Sequence, residues 1–142
     1  MATLNQTLVF LHFLGLVLGF SVGFANLTMS GLISNAEPSE RAVLSRFPPR
    51  MSRLGTIGLA LLWITGVILV YTSWNGFESL PWQFYVKLAA VVILTVTVHH
   101  THRLERLVMQ GDLKAAARIE QTGKVAMVMA LTALLFAVLT FH

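Results

Sequence analysis

Lys87 and His12 are the residues whose chemistry needs explaining, because each stands inside an apolar run long enough to place it at membrane depth. The run from Phe84 to Val98 carries no charge other than Lys87. An ionisable group in such a place is costly and normally faces a bundle interior, where it meets a counter-charge, a metal or a bound anion. Glu37, Glu40, Glu105, Asp112 and Glu120 all fall in polar connections at the far end of the apolar runs, leaving only Glu78 in the nearer one. A bound ligand is therefore the expected mate of Lys87. The alternative is that its four-carbon stem carries the ammonium back to the interface.

His12 heads a stripe. Gly15, Gly19, Gly23 and Asn26 follow it at intervals of three and four, so at about 100° per residue they share one helix face. Such a face either lets two helices approach closely or offers a flat shelf topped by an imidazole, the side chain best suited to ligate iron or copper from within a bundle. His12 lies six residues past Gln6 and Lys87 six past Pro81, so each is about 9 Å inside the same leaflet and the two can share a site. As a neutral amine Lys87 would be a second axial ligand, and as an ammonium it would hold a propionate. Either role suits a tetrapyrrole. Trp63 and Gly66 could stack on such a ring, or could be a core aromatic beside a packing glycine. His99 and His102 are spaced to face one direction and would permit a weak surface metal site, although interfacial polar residues beside Arg103 and Arg106 are the commoner arrangement; His100 stands with them. Only His12 is deep, which argues against a two-haem arrangement with paired histidines. No residue is assigned as catalytic.

The elements that position these groups follow from composition. The 142 residues are 56% hydrophobic and only 11% charged, with a mean hydropathy of +0.73, whereas a soluble domain carries about 25% charged residues. Apolar stretches at residues 8–32, 54–71, 82–98 and 125–141 each approach or exceed the roughly 17 to 25 residues needed to cross a bilayer. Backbone groups must pair internally in lipid, so the expectation is an all-α, integral membrane four-helix bundle forming one domain over residues 1–142. The first stretch reads as a span and not as a removable leader, since residues 1–7 hold no basic residue and the apolar run is too long. There is no cysteine, which excludes intrachain disulfides, thiolate chemistry and iron–sulfur clusters.

Nine of the ten basic residues lie in two connections, Arg41 to Arg53 and Arg103 to Lys124. By the positive-inside bias both basic loops are expected in the cytoplasm, with the N- and C-termini and the Trp74–Gly76 loop outside. The net charge of +4 then reports topology, and nucleic acid is not an expected partner. Pro38 is expected to open a short amphipathic turn ended by Pro48 and Pro49. The third helix should run on to a stop at Gly111, with Asp112 capping the next one. Tyr71, Trp74, Trp82 and Tyr85 read as an interfacial belt. The glycine stripe in so small a bundle also predicts a homo-oligomer.

These residues, in this order, resemble a family. A histidine early in span one, Glu40-Arg41 and Leu44 to Phe47 before a glycine-containing span two, then Trp82-x-x-x-Val86-Lys87 opening a span that ends near His99, are similar to the HemJ-type protoporphyrinogen oxidases and more distantly to the copper-resistance D family. The similarity runs over nearly the whole chain and is most specific from Trp82 to His99. The family's Trp after the histidine and its Pro-Arg pair late in span one are absent here, where Gly19 and the Leu27–Thr28 neighbourhood stand. The resemblance implies a bacterial inner-membrane protein that binds haem b through iron at His12 and Lys87; from their places in the sequence, Gly15, Gly19, Gly23 and Trp63 are the residues expected around the ring. It also implies oxidation of protoporphyrinogen, with electrons passing to a membrane acceptor such as quinone. A non-catalytic haem- or copper-handling protein and a small anion transporter using Lys87 are the alternatives.

Overall fold

The computed structural model describes residues 2–74, 76–110 and 113–141. The expected stop at Gly111, the cap at Asp112, and Asn75 of the loop lie outside the described residues. The chain is helical, with no strand among the described residues: α1 (Ala2–Asn35), α2 (Pro38–Leu44), α3 (Phe47–Trp74), a 3-10 turn (Phe77–Ser79), α4 (Trp82–Met109) and α5 (Leu113–Phe141). Four of these helices are long and apolar enough to cross a membrane, over Thr3–Ile33, Pro38–Trp74, Trp82–Val108 and Arg118–Thr140. Each expected span lies almost entirely within one of them, and the helices continue beyond the apolar windows into the polar connections. Hydropathy marks what lipid can accommodate, whereas the helix ends where capping and backbone geometry end it.

Proline placement shows the difference. Pro38 occupies the first turn of α2, but Pro48 and Pro49 do not close that element. They sit in the first turn of α3, where the absent N–H groups would have had no intrahelical acceptor. At the other end of α3, Gly76 adopts φ 109°, a region open to glycine, and its N–H returns to the Val70 carbonyl at 3.2 Å.

The four long helices form a closed ring in the order α1, α3, α4, α5. The α1–α3 contact is intimate because glycines meet: a Cβ on Gly15 would stand 2.8 Å from the Gly58 carbonyl oxygen, and one on Gly58 would stand 2.8 Å from that of Gly15. This is the close backbone approach that small residues permit in lipid. On the far side α4 and α5 pack along their length, with Ala90, Ala115 and Ala133 buried and the Thr101 and Thr122 hydroxyl oxygens 3.1 Å apart. The seam between α3 and α4 is wider and is bridged by side chains. Val70, Leu80 and Phe84 form an apolar plug at its loop end, backed by Trp74, Phe77 and Leu88. Outward faces present large apolar groups such as Phe10, Val17, Ile64 and Val96, compatible with lipid contact. Tyr71, Trp82 and Tyr85 are exposed as an interfacial belt would be, whereas Trp74 backs the plug.

The ring does not close on itself at the centre. A cleft of ≈ 1220 Å³ remains, walled by all four long helices.

Candidate ligand cleft

His12 is on the cleft wall, and the structure gives its ring a direction. Its Nδ1 lies 2.8 Å from the Thr65 hydroxyl, and that hydroxyl sits 2.6 Å from the Leu61 carbonyl, four residues back on α3. A carbonyl can only accept, so the single Thr65 proton goes to Leu61 and Nδ1 must donate to Thr65. The proton is assigned from this network. In the neutral ring Nε2 then keeps its lone pair. A ligating histidine is normally held in this way, one nitrogen donating to a fixed acceptor and the other free for a metal. Thr65 is itself only 2% exposed, so the acceptor does not move. Gly66 makes the room: a Cβ there would approach the His12 Cε1 to 3.3 Å.

Lys87 lines the same cleft, its ammonium 5.7 Å from the Phe84 ring centroid. It is not level with His12. Trp63 donates its indole N–H to Thr95 at 3.0 Å, and that register places Ile93 at the level of Thr65, the partner of His12. Lys87 lies six residues nearer the Phe77–Ser79 turn, about 9 Å of helix rise. Trp63 lines the cleft while its indole ties α3 to α4.

The glycine stripe divides. Gly15 is buried against Gly58 and faces α3. Gly19 lines the cleft and a Cβ there would meet nothing within 4 Å; Gly23 also lines it, with the Met127 sulfur 3.7 Å from where a Cβ would be. Asn26 lines the cleft further along, its side-chain oxygen buried without a hydrogen-bond partner among the described residues.

The other end of the cleft holds a polar network that the reading of the sequence missed. Glu105, expected in a connection, is on α4 with a side chain only 12% exposed. It accepts from the Ser52 hydroxyl at 2.5 Å, and its second oxygen lies 3.1 Å from His102 Nδ1. The His102 Nε2 lies 2.8 Å from the Thr56 hydroxyl, whose proton reaches the Ser52 carbonyl at 3.0 Å. Ser52, His102 and Glu105 all line the cleft. The three neighbouring histidines therefore part company, His102 facing inward and His99 and His100 exposed. Two spacings carried the signal: His102 and Glu105 at i, i+3, and Ser52 and Thr56 at i, i+4, each pair on one helix face.

Among the described residues no three His, Cys, Asp or Glu side chains are grouped to hold a metal ion. No protein-family model, curated protein or solved structure matches the chain.

Proposed function

We propose that the chain is a haem b protein of a bacterial inner membrane, with His12 Nε2 as the iron ligand and redox chemistry at the iron. The observation that carries this reading is the His12–Thr65–Leu61 chain, which leaves an unprotonated imidazole nitrogen inside a membrane-depth cleft. The fit to a porphyrin is supported on three further grounds. Small-molecule sites run to about 300–1,000 Å³, and a cleft of ≈ 1220 Å³ accommodates a macrocycle. Its walls are chiefly apolar, through residues such as Phe20, Leu59, Leu62 and Val91, and Gly19 keeps one wall flat. Lys87, offset toward the outer turn, would hold a propionate carboxylate, since a charge-assisted contact tolerates that offset from His12.

Bound haem would supply one-electron redox, while the protein's own part is to orient and to exclude. Thr65 fixes the imidazole, Lys87 holds an anionic edge, and the apolar walls keep water from the iron. With the resemblance to HemJ-type oxidases, protoporphyrinogen is the proposed substrate and a membrane quinone the proposed electron acceptor. The absorbance spectrum of the protein purified from haem-replete cells tests the reading: a Soret band at about one haem per chain is expected, and a haem-free protein that also fails to take up added haemin contradicts it.

A further inference from the structure

On the lipid-facing side of α4 and α5, away from the cleft, a groove of ≈ 500 Å³ runs between the two helices, and its lining includes Val96 and His100 of α4 and Arg118, Gln121, Thr122 and Val125 of α5. We propose that this groove binds one anionic glycerophospholipid in the leaflet adjoining the basic connections. The inference does not depend on what occupies the central cleft.

The groove has the polarity of such a lipid. α4 runs toward the basic connection and α5 runs away from it, so His100 and Arg118 stand at the rim while Val96 and Val125 lie deeper, about 6 and 10 Å further in by helix rise. Arg118 brings a permanent charge and a planar fork of donors matched to phosphate oxygens. His100 and the exposed Gln121 amide bring further donors. The Thr122 hydroxyl gives its proton to the Ile119 carbonyl at 2.9 Å, so it shapes the wall and does not donate outward. Val96, 64% exposed, and Val125, 47% exposed, offer an apolar track for an acyl chain.

Charge selects the head group. No acid is among the described residues that line the groove, and the nearby Glu120 is matched by Lys124 at 2.8 Å. Arg103, Arg106 and Lys114 raise the local positive potential from the adjoining connection. Basic pockets between membrane helices on the positively charged side are where anionic head groups settle.

The test is lipid retention by the full-length protein in detergent, read by native mass spectrometry with phosphatidylglycerol and phosphatidylcholine of identical acyl chains. The expected result is a phosphatidylglycerol adduct favoured about fivefold, the ratio corresponding to about one well-placed cation. Arg118→Gln and His100→Gln should each erase most of that preference, and Arg118→Lys should keep part of it. Arg103→Gln, which removes an exposed cation outside the groove, should lower it far less than either groove variant. Equal retention of the two lipids, an unchanged preference in Arg118→Gln, or an equal loss in Arg103→Gln would overturn the site. Displacement of the lipid by millimolar inorganic phosphate would overturn the lipid assignment in favour of a free-anion site; persistence of the adduct supports it.

Discussion

An imidazole on a membrane helix can offer either nitrogen to its surroundings, and at His12 the choice falls to Thr65, which has no proton to spare once Leu61 has accepted it. Thr65→Val keeps the shape of the wall and removes the acceptor. Haem affinity, measured by haemin titration, should fall about 10- to 100-fold, the usual effect of losing a partner that orients a metal-bound histidine. At Lys87 the offset along α4 separates the two roles available to an amine. Lys87→Arg should keep haem content and spectrum, because a guanidinium still meets a carboxylate, whereas Lys87→Leu should weaken binding about tenfold without changing the ligation signature. A spectral change of ligand in Lys87→Arg would instead make the amine an iron ligand. Both residues were legible in the sequence because a titratable group within an apolar run always needs a reason. Thr65 was not, since a threonine in a span is ordinary until the histidine it faces is known.

At the scale of the helix, the glycine stripe shows why spacing alone left packing and ligand binding undecided. Four residues advance a helix by about 40° more than one turn, so the step from Gly15 to Gly19 turns the stripe from α3 toward the cleft. Gly15→Ala drives a methyl against the Gly58 carbonyl, a backbone atom that cannot yield locally, and should destabilise the α1–α3 pair by about 1–3 kcal/mol. Gly19→Ala meets open space and should leave stability within about 0.5 kcal/mol while narrowing the cleft. Reversible unfolding in mixed detergent distinguishes the two, and equal costs would contradict the assignment. The close approach of Gly15 and Gly58 is also made within one chain, which withdraws the glycine stripe as a reason to expect a second copy there. The Ser52–Glu105–His102 network bridges α3 to α4, and pairing across helices is invisible in a linear sequence without the register. Glu105→Ala strands the His102 and Ser52 donors and should cost about 1–3 kcal/mol, with Glu105→Gln milder because the amide oxygen still accepts.

For the whole molecule, the four spans were legible because bilayer thickness sets their length, while the ring order and the unfilled centre depend on side chains meeting across seams. The proposed sidedness rests on the nine basic residues in two connections and is tested by fusion: a periplasmic reporter placed after α5 should be active, and one placed between α4 and α5 should be silent. The central claim is that one histidine holds iron inside the bundle, and chemical rescue tests it most directly. The account predicts that His12→Ala is purified as a folded, membrane-inserted protein with its haem band lost or strongly reduced, and that added imidazole together with haemin restores the wild-type spectrum by supplying the missing nitrogen at the same place. A His12→Ala protein that keeps full haem occupancy and an unchanged spectrum without imidazole would contradict it.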